Sequence, residues 1–222
     1  GEGKAYIKGF ERTRPSPSAV AIRKAKSTRT VQNELWVYTT GLDKYRLSNS
    51  PAKNIDRVVA IVQAKDNIVR GGIYGGTDYL PLTPVVKVVS VRQGGATFTQ
   101  GTDYRLVQNG IYWGIGGSQP ETGSTYEVVW QWNKTLDGTT DYKLTTDETL
   151  EEDYVEFIGS GRPVGGTSFT VDYKYYLSRY SSIFMGLDGE MRVIDGIDDI
   201  WRLIQPGVFI SDDFFHIADV KV

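Results

Sequence analysis

The stretch "TDYRLVQNGIYWGIGGSQPETGSTYEVVWQW" (Thr102–Trp132) carries the reading of the fold. Its Gln108-Asn109-Gly110 segment holds the Asn-Gly pair that two-residue hairpins prefer, because both central residues of such a turn take positive φ. "PETG" then supplies a proline-led turn with Gly123 free to adopt positive φ. Beyond it, Tyr126, Val128, Trp130 and Trp132 recur at a period of two. That alternation places the four side chains on one face of a strand, with Glu127, Val129 and Gln131 on the other. The segment therefore reads as strand, hairpin, strand, turn, strand.

Echoes of this stretch extend the reading. "TDYKLTTDETLEEDYVEF" followed by "GSGRPVGGTSFTVDYKYY" repeats its order, with Phe169, Val171, Tyr173 and Tyr175 in the places of Tyr126 to Trp132. "RVVAIVQAKDN" (Arg57–Asn67) resembles "PVVKVVSVRQGG" (Pro84–Gly95), and each leads after a glycine into Thr-Asp-Tyr, a tripeptide found at Thr77, Thr102 and Thr140. Self-similarity of this kind outweighs any single motif. The expected fold is mainly β: antiparallel sandwich or meander modules with internal repeats and at most one or two short helices. Pro51 and the polar cluster around it suggest a boundary within Gly41–Asn54. The expected divisions are a basic β segment over 1–50, a repeated β region over 51–176, and a C-terminal segment over 177–222. In the last, "SSIFMGLDGEMRVIDG" predicts a hairpin turning at Asp188-Gly189, "IDDIWRLIQPG" a short helix, and "FHIADVKV" a final strand.

Composition narrows the function. The 222 residues include no cysteine and one histidine, His216. Thiolate sites, multi-histidine metal sites and histidine-based triads within one chain are thereby excluded. A lone histidine after two phenylalanines reads as a packed or edge residue. No apolar run approaches the roughly 20 residues of a membrane-spanning helix, so membrane insertion is not expected. The first residues start without methionine on a strand-like run, which predicts a piece of a longer polypeptide. Lys and Arg outnumber Asp and Glu 14 to 6 over residues 1–70 and are outnumbered 11 to 21 thereafter. The basic arm "RKAKSTR", with Arg23, Lys24, Lys26 and Arg29, lacks the interleaved aromatics of a nucleic-acid site and reads as a solvated face or a contact for an acidic protein neighbour.

Other candidates weigh toward structure. The acidic "TTDETLEEDYVE" lacks the glycine turn and alternating spacing of a calcium loop. "GGIYGG" and "GIGG" lack the Lys-Ser/Thr pair and following helix of a phosphate cradle and read as turns. Asp103 recurs as Asp78 and Asp141, which suits an Asx cap bonding backbone N–H groups two residues on rather than a catalytic acid. Tyr112, Trp113, Trp130 and Trp132 offer flat faces for sugar stacking; the period-two row assigns Trp130 and Trp132 to core packing. Tyr112 and Trp113, matched after Thr140 by Glu156 and Phe157, remain the leading contact candidates. No enzyme activity and no cofactor are expected.

"VDYKYYLSR" (Val171–Arg179), "IFMGLDGEMRVIDG", "FHIADV" and the opening "GKAYIKGF" resemble an uncharacterised domain family of bacteriophage and prophage tail-fibre and baseplate proteins. The chain departs from that pattern at Ser178, where proline is usual, and at Asp195, where lysine is usual. The resemblance implies a virion structural protein of the phage tail, assembled in the bacterial cytoplasm. It implies partners among other tail, baseplate or fibre proteins and a homo-oligomer, with a trimer favoured. It brings no catalytic residues. A receptor- or glycan-binding module, contacting host surface glycan, is the alternative.

Overall fold

A computed structural model of the chain describes residues 4–5, 20–21, 27–159, 161–177, 180–186, 191–195 and 214–221. The described residues form seventeen strands and no helix. They are β1 (Lys4–Ala5), β2 (Val20–Ala21), β3 (Thr28–Val37), β4 (Lys44–Arg46), β5 (Ala52–Val69), β6 (Thr77–Tyr79), β7 (Val85–Gln93), β8 (Ala96–Phe98) and β9 (Arg105–Val107). There follow β10 (Gly110–Tyr112), β11 (Thr125–Thr135), β12 (Tyr142–Asp147), β13 (Glu152–Phe157), β14 (Ser168–Tyr176), β15 (Tyr180–Gly186), β16 (Met191–Asp195) and β17 (Phe214–Lys221). The mainly-β, antiparallel fold expected from the sequence is the one observed.

The chain divides into two units, Gly1–Arg29 with Tyr175–Val222, and Thr30–Lys174. In the first, β1 pairs with β2, and β15 lies between β16 and β17. The hairpin expected after Ser181 is β15–β16, which brings Met185 opposite Met191. The last strand expected is β17. The short helix expected over 197–207 lies outside the described residues.

In the second unit a six-stranded sheet runs in the order β3-β14-β5-β11-β7-β8, and two three-stranded sheets, β12-β13-β4 and β6-β10-β9, accompany it. The period-two rows fix which face is covered. Tyr126, Val128 and Trp130 are buried on β11, as are Phe169, Val171 and Tyr173 on β14. Register sets Trp130 opposite Ala64 and Lys134 opposite Ala60, so the buried Val58, Ala60 and Val62 of β5 share that face. On the other face Arg57 of β5 meets Asp172 of β14 at 2.9 Å and Lys65 meets Glu127 at 2.7 Å.

The unit is one module nested inside another. The framing module uses β3, β4, β5 up to Ala60, the end of β11 from Lys134, β12, β13 and β14. The nested module uses the rest of β5, then β6 to β11. In each, three strands of the large sheet run in the order first, last, second: β3-β14-β5 and β5-β11-β7. Each small sheet likewise sets a hairpin beside a short strand, β12-β13-β4 and β9-β10-β6.

Backbone hydrogen bonds match one to one. Leu47 N–H donates to Asp153 O and Leu80 N–H to Asn109 O; Phe157 N–H donates to Asp43 O and Trp113 N–H to Gly76 O. Tyr38 and Thr167 are joined as Arg70 and Ser124 are. The proline-led turns match too, with Gly166 at φ 76° and Gly123 at φ 79°. Side chains repeat the pattern: Asp153 accepts from Ala52 N–H at 2.6 Å, and Asn109 accepts from Val85 N–H at 2.8 Å. Each module also holds a cis proline just before that N–H, Pro51 and Pro84.

The point of insertion follows from register. β7 turns into β8 through Gly94-Gly95, with Gln93 opposite Ala96 and Val91 opposite Phe98. In the framing module the same hairpin has Ala60 opposite Lys134, and Leu136 N–H donates to Val58 O. Residues 61–133 thus stand where a two-residue turn stands in the nested copy. Residues 41–54, read from the sequence as a boundary, hold β4, its exit and the first three residues of β5, the counterpart of β6, its exit and the start of β7.

The echo at Thr77 is of another kind. Thr102 and Thr140 both lead into a hairpin, whereas Thr77-Asp78-Tyr79 is β6 itself and matches Lys44-Tyr45-Arg46. In the β9–β10 turn the two residues at positive φ are Gln108 (46°) and Asn109 (66°). Gly110 instead opens β10, where an added Cβ would meet Thr77 Cγ2 at 2.6 Å.

Asp103 and Asp141 do cap turns, but they reach backwards. Asp103 Oδ2 accepts from Thr99 N–H at 2.7 Å and Asp141 Oδ2 from Asp137 N–H at 2.9 Å, each four residues earlier. A glycine packs over both turns: a Cβ on Gly117 would fall on the Thr102 carbonyl oxygen, and one on Gly159 on that of Thr140. Backbone cannot yield as a side chain can, so Gly117→Ala and Gly159→Ala should each cost about 2–3 kcal/mol, read from urea midpoints. Equal losses are expected because the sites are equivalent.

The framing core also sets an alkaline limit. Tyr173 donates to Glu34 Oε2 at 2.7 Å. Its phenol is pushed up to about 12, by burial first and also by the Glu34 carboxylate. A raised folded value stabilises the fold fully below the ordinary tyrosine value of about 10, and that contribution is lost as pH rises to 12. Tyr173 should account for roughly 2–3 kcal/mol of the fall in unfolding free energy across that window, alongside the likewise raised Tyr126, Tyr104 and Tyr142 phenols, and Tyr173→Phe should make the fall shallower by that share.

Candidate functional site

The two modules share a backbone and differ at four matched core positions. In the framing module these hold Tyr38, Tyr45, Phe157 and Phe169. Their rings meet at centroid distances of 5.5 Å for Tyr38–Phe157, 4.9 Å for Tyr45–Phe169 and 5.0 Å for Phe157–Phe169. In the nested module the same positions hold Arg70, Asp78, Trp113 and Tyr126, all buried. Asp78 Oδ1 accepts from Gly71 N–H (2.9 Å) and Arg70 Nη1 (3.3 Å); Oδ2 accepts from Trp113 Nε1 and the Tyr126 hydroxyl, each at 2.9 Å. Four donors saturate the carboxylate, which is what a buried charge requires. Burial, then the Asp78 carboxylate, pushes the Tyr126 phenol up.

Arg70 also shapes the loop above it. Its Nη2 donates to Ile73 O at 3.0 Å and to Gln119 Oε1 at 2.8 Å, and its guanidinium lies 5.7 Å from the centroid of Trp113. The loop it grips, Gly71–Gly76, raises Ile73 and Tyr74 into solvent.

Outward from this core lie the solvent faces of the small sheets. Because Asp78, Leu106 and Ile111 point inward, their neighbours point out. Register arranges those neighbours in two rows, Tyr79-Gly110-Val107 and Thr77-Tyr112-Arg105. The framing module's rows are Arg46-Tyr154-Thr145 and Lys44-Glu156-Lys143. There the charges are paired: Glu156 meets Lys44 at 3.6 Å and Lys143 at 3.5 Å, and Arg46 meets Glu152 at 3.0 Å. The nested face has no acid. Tyr79 lies over Gly110, its Cδ1 3.1 Å from where a Cβ would stand, and the Tyr112 phenol lies against Gly114.

The residues singled out from the sequence separate accordingly. Tyr112 is on the nested face, half-buried. Trp113 is not a contact residue: it is 1% exposed, because the alternation of β10 turns it inward onto Asp78. Trp130 is buried, as its row required. Arg29 is exposed on β3, and Arg23, Lys24 and Lys26 lie outside the described residues. His216 lies on β17. Among the described residues no group of His, Cys, Asp or Glu side chains gathers to hold a metal. Asp147, in the acidic stretch, turns its carboxylate onto Thr149 and Leu150 N–H. Sequence reasoning missed Tyr74, in the loop before β6, and Tyr79 and Arg105, whose signal was their place opposite Gly110 and Tyr112 in the register.

Fold and surface together define a duplicated all-β module that carries two solvent faces of different chemistry on one scaffold. The chain belongs to the family described as a domain of unknown function, DUF4815, whose model matches residues 1–222. No curated protein and no solved structure matches it.

Proposed function

We propose that the chain is a structural module of a phage tail, at the baseplate or fibre attachment, working through protein contacts in a homo-oligomer. The observation that supports it most is the nested duplication. One backbone is built twice, with matched turns and matched core positions, while the outward rows diverge from an ion-paired lattice to a tyrosine surface. Such a part supplies rigidity from the sheets and specificity from what they display. The resemblance of "VDYKYYLSR" and its companions to tail-fibre and baseplate domains points the same way.

The test is the composition of purified particles from the phage or prophage that encodes the chain. Cross-linking mass spectrometry is expected to find it in the particle, linked to tail proteins and to further copies of itself. Its absence from particles that retain intact tails would overturn the reading.

A further inference from the structure

We propose that the solvent face of the β6-β10-β9 sheet binds a carboxylate-bearing pyranose, such as a uronic or sialic acid unit of a glycan. The inference stands on this face alone and does not rest on the assembly reading above. The framing module shows what a satisfied version of the face looks like: two lysines bracket the Glu156 carboxylate. In the nested module Tyr112 takes the place of that glutamate. Arg105, the match of Lys143, is exposed and makes no ion pair among the described residues. A guanidinium left without the carboxylate its counterpart enjoys is complemented by a carboxylate from a ligand.

The surroundings suit a sugar ring. Tyr79 reaches over Gly110 with 65% of its surface exposed. Tyr112 sits diagonally from it, roughly 7–8 Å away by the geometry of paired strands. Tyr74 stands close by, since a Cβ on the next residue, Gly75, would come within 3.2 Å of Gly114 Cα, against which the Tyr112 phenol lies. Flat apolar faces with hydroxyl edges fit the C–H face and rim of a pyranose. Arg70 holds the Ile73 carbonyl, so the loop is ordered before any ligand arrives, which limits the entropy lost on binding.

The test uses the whole chain against a panel of uronate- and sialate-bearing oligosaccharides, each beside its carboxyl-reduced form, with amide shifts followed by NMR. Binding is expected for at least one acidic member, with shifts confined to residues 73–79 and 105–114. At least tenfold weaker binding is expected for its reduced form, for Arg105→Gln and for Tyr79→Ala. Lys143→Gln, on the framing face, should bind as the unaltered chain does. Unfolding midpoints of the variants, all at exposed positions, confirm that the fold is kept. A blank panel overturns the proposal. So does equal binding of the acidic and reduced forms, indifference to Arg105→Gln and Tyr79→Ala, or equally tight binding of a poly-glutamate peptide at the same residues.

Discussion

Asp78→Ala is expected to lower unfolding free energy by about 3–5 kcal/mol, the range for breaking a buried ion pair from one side. The loss is large because four donors converge on that carboxylate, and of these only the Arg70 guanidinium has other acceptors, Gly71 O, Ile73 O and Gln119 Oε1. Arg70 would be left as an uncompensated charge under Trp113. The framing module indicates how the site tolerates a different solution. The fourfold exchange Arg70→Tyr, Asp78→Tyr, Trp113→Phe and Tyr126→Phe installs the aromatic set that the same backbone already holds around Tyr45. It should recover most of the stability lost in Asp78→Ala, since well-packed apolar groups commonly replace a buried pair without penalty. Urea unfolding of the single and fourfold variants reads both outcomes. A fourfold variant less stable than Asp78→Ala would show that the two cores are not interchangeable.

Trp113→Ala should be comparably severe, at about 3–5 kcal/mol for a buried tryptophan. Its ring sits 5.4 Å from Phe98, 5.7 Å from Tyr104 and 5.5 Å from Tyr126, centroid to centroid. Truncation opens a cavity among those three rings and removes one of the donors to Asp78. The variant therefore reports on folding and not on binding, even though its neighbour Tyr112 lies on the exposed face. Tyr79→Ala, by contrast, should leave the midpoint within about 0.5 kcal/mol, as exposed positions do. A similar loss in both would place Tyr79 in the core, contrary to the register.

Much of this architecture was legible in the sequence. The glycines of the proline-led turns and the alternating rows on β11 and β14 are local rules, and each appears where its residues predict; the β9–β10 hairpin is also present, but its turn sits one residue earlier than the Asn-Gly pair implied, at Gln108-Asn109. The nesting was harder to read. An alternating strand looks the same at every shift of two residues, so "RVVAIVQ" and "PVVKVVS" align by composition with Arg57 beside Pro84. The matched N–H groups of Ala52 and Val85 instead set Arg57 beside Ser90. Long-range hydrogen bonds carry that register, and no window of sequence contains them. Trp113 was misread for a related reason. It falls just beyond β10 and continues the inward side of Ile111, where Phe98, Tyr104, Tyr126 and Asp78, the last 35 residues away, enclose it. The tyrosine face was invisible because its meaning comes from comparison with the ion pairs of the framing copy.

The most direct test of the nesting is to replace residues 61–133 with Gly-Gly, joining Ala60 to Lys134 as Gln93 is joined to Ala96 through Gly94-Gly95. If the framing module is complete without its insert, the shortened chain should give dispersed amide resonances and a single cooperative unfolding transition. The Tyr38, Tyr45, Phe157 and Phe169 rings should also remain in mutual contact. A collapsed spectrum without cooperative unfolding would contradict the account, showing that the two modules are one indivisible sheet.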